Sequence, residues 1–142
     1  MKRTFFSLAL LLAVATLTAQ TKMTAREAAV KIADRILAST TYEFKNTKTG
    51  EIYKSVKKLP LDMDVKVACK YNNWHYTNGV TNMALMELGD KLGDKKYEKY
   101  VLKNMNFVFN EGNLDFFRKQ HDEAFKRDGW NAVRTLSWHM IF

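Results

Sequence analysis

Trp74-His75-Tyr76-Thr77-Asn78-Gly79-Val80-Thr81-Asn82-Met83-Ala84-Leu85-Met86-Glu87-Leu88-Gly89-Asp90-Lys91-Leu92-Gly93-Asp94-Lys95-Lys96-Tyr97 is the stretch on which the fold turns. Val80, Met83, Ala84, Leu85, Leu88 and Leu92 recur at steps of three and four, the period of an α-helix, and cover a broader arc than a one-sided surface helix requires. The pattern predicts a helix from Trp74 that is buried on two sides. Gly89 or Gly93 can end it, and Asp94 has the short acceptor side chain that caps the next helix. In that next helix Tyr97, Tyr100, Val101, Met105 and Val108 form a cleaner apolar stripe, with Lys95, Lys96, Lys99 and Lys103 on the polar side and Glu111-Gly112 as the expected end. A turn of only a few residues between the two makes them an antiparallel helical hairpin.

Upstream, Thr24-Ala25-Arg26-Glu27 reads as a capping box, in which hydroxyl and carboxylate satisfy free backbone N–H groups reciprocally. Ala28, Ala29, Ile32, Ala33 and Ile36 follow at helical spacing, fading near Ser39-Thr40. The stretch from there to Asn73 holds Gly50, the single proline Pro60 and Lys45, Lys48, Lys54, Lys57 and Lys58, and reads as a long loop. A loop of that length in a compact domain has a job or hides an element, and Val65-Lys66-Val67-Ala68 is where a short strand or turn would lie. Downstream, a third helix is expected after Asn113, with Leu114, Phe117 and Phe125 as apolar contacts and an interruption at Asp128-Gly129. The run Leu136-Ser137-Trp138-His139-Met140-Ile141-Phe142 has neither cap nor polar terminus and reads as an interior segment cut short.

Residues 1–20 read as a secretory signal peptide: Lys2 and Arg3 give a basic start, and the apolar run from Phe5 to Val14 is shorter than a membrane span needs. Cleavage fits after Ala13-Val14-Ala15 or near Thr18-Ala19, a retained anchor being the alternative. The expected mature domain is therefore residues 21–142, exported to the periplasm or beyond, with no stable membrane insertion once the signal is removed. With 46% apolar and 13% aromatic residues the chain is of globular composition. The lone Cys69 excludes an intramolecular disulfide, so packing alone must hold the domain.

Loss of Lys2 and Arg3 with the signal lowers the net charge of +8 by two, to +6, an excess that suits either a polyanionic partner or a solubilising surface with no partner. Export argues against nucleic acid, and the chain has no zinc spacing, RNP-like aromatic motif or dense arginine cluster. Acidic polysaccharide suits the compartment. Asp62 and Asp64 are a thin oxygen set for calcium, and His75, His121 and His139 lack metal-ligand spacing, so no metal or cofactor is expected. Asp115, Asp122, Glu123 and Asp128 read as solvated surface, leaving no catalytic residue assigned. Trp74 and Tyr76 read from spacing alone as core aromatics, although aromatics at a helix opening can also stack on a sugar ring while the phenol supplies a hydrogen bond, which makes them the candidate binding residues.

The Trp74-His75-Tyr76-Thr77-Asn78-Gly79 opening and the Gly93-Asp94-Lys95-Lys96-Tyr97 turn, followed by Leu114-Asp115-Phe116-Phe117-Arg118-Lys119-Gln120 as the start of a next repeat, resemble the unsaturated rhamnogalacturonyl and glucuronyl hydrolases of glycoside hydrolase families 88 and 105. The resemblance runs from about Thr24 to Gln120. It implies an all-α fold: helical hairpins forming the first part of an (α/α)6 toroid. It also implies removal of the 4,5-unsaturated uronic acid from lyase-generated pectin or glycosaminoglycan oligosaccharides, by hydration of the vinyl ether. Tyr76 matches the family tyrosine that faces the unsaturated sugar. The family's catalytic aspartates, in a Leu-Asp-Asp-type segment and another farther on, have no counterpart before Phe142, which implies a piece inactive alone. An exported helical binding or scaffold module recognising acidic polysaccharide is the alternative, although the chain has no 34-residue self-similarity of the tetratricopeptide kind.

Overall fold

The computed structural model describes residues 23–62 and 64–133. The signal-peptide expectation at residues 1–20 and the apolar run Leu136 to Phe142 lie outside them. The elements in chain order are α1 (Ala25–Ser39), β1 (Phe44–Asn46), β2 (Ile52–Tyr53), a 3₁₀ turn (Val56–Lys58), β3 (Val65–Val67), α2 (Tyr76–Leu92), α3 (Lys95–Val108) and α4 (Glu111–Val133). By contacts the chain divides after Lys31, inside α1, and both hydrophobic clusters lie in the unit from Ile32 onward. No helix among the described residues is long and apolar enough to cross a membrane.

The capping box that opens α1 forms as expected: Thr24 N donates to Glu27 Oε2 at 2.8 Å and Glu27 N to Thr24 Oγ1 at 3.2 Å. Those bonds to the charged form hold the Glu27 carboxyl below its ordinary pKa. From Ile32 on, the apolar positions divide. Ala33 is buried while Ile32 is 62% exposed, so the stripe is narrower than its spacing implied.

The all-α expectation is corrected by a small antiparallel sheet of order β2-β1-β3. Phe44 lies opposite Tyr53 on one side and Val67 on the other, and Asn46 opposite Val65. Alternation explains the strands: Phe44, Asn46, Val65 and Val67 are buried, while Lys45 and Lys66 between them face outward. The turn from β1 to β2 is set by Asn46, whose Oδ1 accepts from Lys48 N (2.9 Å) and Thr49 N (3.0 Å), and by Gly50 at φ 81. The stretch read as a loop therefore carries the sheet, with β3 inside the segment where a hidden strand was expected.

Lys45 and Lys66 are directly opposite each other on the outward face, a like-charge pair that weakens the ladder. Lys66→Glu is expected to stabilise the chain by about 0.5 kcal/mol, read as a higher urea midpoint at unchanged slope. A lower midpoint would mean that the two ammonium groups do not repel across the strands.

The hairpin of α2 and α3 forms between the expected punctuation marks. Gly93 ends α2 in the left-handed region at φ 67, and Asp94 N donates back to Gly89 O at 3.0 Å. Asp94 then caps α3, its Oδ1 accepting from Lys96 N at 3.0 Å. Gly89 permits the close approach: a Cβ there would sit 3.1 Å from Asp94 O and 3.3 Å from Tyr97 Cβ. α2 itself begins at Tyr76, with His75 as its cap.

Two further expectations are corrected. α2 is not covered on two sides among the described residues: Val80 is 61% and Met83 74% exposed, and only Asn82, Leu85 and Gly89 are buried. Glu111-Gly112 does not close α3, which stops at Val108; these residues open α4, so Asn113 lies inside that helix. Asn110 is the signal, accepting Asn113 N on its Oδ1 (3.2 Å) and Leu114 N on its carbonyl (2.9 Å). The interruption at Asp128-Gly129 is present as a kink, with Gly129 at φ 54 and ψ −146.

Two cores result. One packs the inner face of the sheet, through Phe44, Val65 and Val67, against Val108 of α3 and Phe116 and Phe117 of α4. The other joins Ala33 and Leu85 to Tyr97, Tyr100 and Val101, tying α1 to the hairpin. At its edge Tyr97 OH donates to Asp34 Oδ1 (2.9 Å), which also meets Lys96 Nζ at 2.8 Å. The Lys96 ammonium, followed by the phenol, holds the Asp34 carboxyl below its ordinary pKa.

Candidate functional site

The opening of α2, the second half of α3 and the segment from Tyr71 to Trp74 enclose a cavity of about 360 Å³. Both sequence-predicted binding residues line it. Trp74 is half-buried and packs edge-on against Phe109, with ring centroids 4.9 Å apart at 85°. Tyr76 is 71% exposed, and its ring lies 4.9 Å from that of His75 at a 34° tilt. Trp74 is thus a fixed wall, and Tyr76 a free aromatic at the rim.

The local sequence explains the positions. His75 has extended backbone geometry and its Nδ1 accepts from Thr77 N at 3.4 Å, so the helix starts with Tyr76 projecting from its first turn. Asn78 turns back under the loop, donating to Lys70 O at 2.8 Å and Asn73 O at 3.0 Å. Together these bonds fix the angle at which the loop enters the helix.

Asparagines stand behind this wall, beside the apolar Met105 and Val108. Asn104 Nδ2 reaches Asn82 Oδ1 at 3.2 Å and Tyr71 O at 3.5 Å, and Asn72 Nδ2 donates to Thr41 O at 2.6 Å. Commitment of each NH₂ to a carbonyl acceptor sets the amide orientation, leaving Asn72 Oδ1 and Asn104 Oδ1 as buried acceptors without a donor among the described residues. The surface the cavity presents is mostly apolar and aromatic, which suits a ligand with a flat apolar face.

Among the described residues, no carboxylate, ammonium or guanidinium lines this cavity. Of the carboxylates set aside on sequence grounds, Asp115 pairs with Lys119 at 2.8 Å, Glu123 with Lys126 at 2.9 Å, and Asp62 accepts from Asp64 N at 3.0 Å. No group of three or more metal-ligating side chains occurs among the described residues. The arrangement can bind by stacking and hydrogen bonding, and supplies no carboxylic acid for proton transfer. Asn72, Asn104 and Phe109 were not singled out by the sequence reading, because the helical return that carries Asn104 and Phe109 to Trp74 spans some thirty residues.

No family model, curated protein or solved structure matches the chain. The case for function therefore rests on this cavity and on the motifs around it.

Proposed function

We propose that the chain is part of a glycoside hydrolase of the unsaturated rhamnogalacturonyl/glucuronyl type, contributing the wall that holds the 4,5-unsaturated uronic acid of a lyase-generated oligosaccharide. The observation that carries this reading is that Trp74 and Tyr76, the aromatics of the motif, line one cavity. The hairpin of α2 and α3 is the repeating unit of an (α/α)6 toroid, and the exposed Val80 and Met83 on α2 suit a helix with further neighbours in such a ring.

In the reaction of this type an acid protonates the vinyl ether carbon, water adds to the adjacent cationic carbon, and the hemiketal opens to release the sugar. Because no carboxylate lines the cavity, the acid comes from residues other than those around Trp74 and Tyr76. Of this chain's own residues, Tyr76 orients the ring by stacking or hydrogen bonding, and Trp74 supplies a fixed apolar wall. The same absence favours the second reading, an exported module that binds acidic polysaccharide without acting on it.

The test is a titration of residues 1–142 with unsaturated digalacturonate, followed by tryptophan fluorescence and by the ultraviolet absorbance of the conjugated double bond. Binding without loss of that absorbance is expected. Tyr76→Ala should weaken binding by roughly tenfold, about 1.4 kcal/mol, with an unchanged melting temperature. Equal affinity in wild type and variant would remove Tyr76 from the site, and turnover by this chain alone would contradict the placement of the acid.

A further inference from the structure

Behind the aromatic cavity lies a second, more open groove of about 640 Å³, lined by Arg35 and Ser39 of α1, Thr41, and the segment from Ala68 to Tyr71. Its chemistry is the opposite of its neighbour's. Arg35 and Lys70 are both exposed, neither forms an ion pair among the described residues, and no carboxylate lines the groove. The acid next to Arg35 in sequence, Asp34, is already held by Lys96 at 2.8 Å. Thr41 adds a hydroxyl to a surface suited to an anion with several acceptor oxygens, while the Ser39 hydroxyl is committed to Arg35 O at 2.7 Å.

Tyr71 lines both hollows. Its backbone is pinned from three sides: its N–H donates to Cys69 Sγ at 3.4 Å, its carbonyl accepts from Asn104 at 3.5 Å, and the preceding carbonyl of Lys70 accepts from Asn78 at 2.8 Å. Lys70 Nζ stands 5.0 Å from the Tyr71 ring centroid, within cation–π range. Tyr71 thus has a fixed backbone at the hollows' shared edge, with a cation near its ring. A ligand crossing Tyr71 passes from an uncharged aromatic and amide pocket to a basic groove.

We infer that the Arg35–Lys70 groove is an anion subsite that takes the carboxylate of the acidic sugar unit adjoining the one held at Trp74 and Tyr76. The inference rests on the sugar-binding reading of the aromatic cavity and adds to it a preference for oligosaccharides with a second acidic unit. A guanidinium and an ammonium lining one groove favour a carboxylate over its ester, because only the charged form accepts charge-assisted hydrogen bonds. Both cations are solvated, so the preference is modest and sensitive to salt.

The test compares unsaturated digalacturonate with the derivative methyl-esterified on its saturated unit, each titrated into ¹⁵N-labelled chain and into Arg35→Gln/Lys70→Gln. Wild type is expected to bind the free acid on the order of fivefold more tightly than the ester, and the double variant to bind the two equally, with the Trp74 indole signal still shifting. Equal binding of acid and ester by wild type, or a preference that persists in the double variant, overturns the anion subsite and leaves the sugar pocket standing. Failure of either ligand to move the Trp74 indole signal overturns both readings. Both side chains are exposed, so matched melting temperatures are expected to show that the variant folds.

Discussion

Phe117→Ala is expected to lower the stability of the folded chain by about 3–5 kcal/mol, enough to leave a marginal domain largely unfolded. Phe117 is only 1% exposed and stands where α4 meets the sheet, in one core with Phe44, Val65 and Val67. Its ring lies 5.9 Å from Phe44 and 5.1 Å from Phe116, the latter edge-on. Truncation removes these aromatic contacts and leaves a cavity between a helix and strands of two or three residues, which have little ladder of their own to hold them. Urea unfolding followed by circular dichroism checks the size of the loss. A change under 1 kcal/mol would mean that the sheet and α4 are not one cooperative unit. Phe125→Ala is the matched control, since that ring is 44% exposed and packs on Trp130 at 5.3 Å outside this core.

The same residues show what could be read from the sequence. The hairpin was legible because each of its marks acts locally: a helical stripe in α3, Gly93 at positive φ, and Asp94 one residue later with the right side chain to cap. The start of α4 was misplaced for a local reason as well. Glu111-Gly112 has a glycine that resembles a helix end, whereas an acidic residue in a first turn, preceded by Asn110 with a capping amide, marks a beginning. The sheet was less visible because its pairings are not local: Phe44 meets Val67 across more than twenty residues, and each strand offers at most one full alternation to a periodicity argument. For the site, the aromatic pair at a helix opening was readable, but the amides facing it were not. Asparagine in a helical stripe looks like a polar interruption until the fold turns Asn104 toward Asn82.

Gln120→Ala is expected to cost about 3 kcal/mol, although nothing in the sequence distinguishes this residue from a surface polar side chain. Gln120 is fully buried, and its Nε2 donates to Asp62 O and, at 3.0 Å, to Val65 O, so one amide joins α4 to the segment that becomes β3. Removal leaves two backbone carbonyls without that donor and a void the size of the side chain. Gln120→Met separates the two effects. It keeps the volume, gives up the hydrogen bonds, and also removes Oε1, a buried acceptor with no donor among the described residues. The methionine variant should therefore lose less than the alanine variant, about 1–2 kcal/mol, with faster hydrogen exchange concentrated at the Thr47 and Ala68 amides, which donate across the sheet to Asp64 O and Glu43 O. If methionine proved as stable as glutamine and left those amides protected, the sheet would be held by the apolar contacts of Phe117 and its neighbours alone.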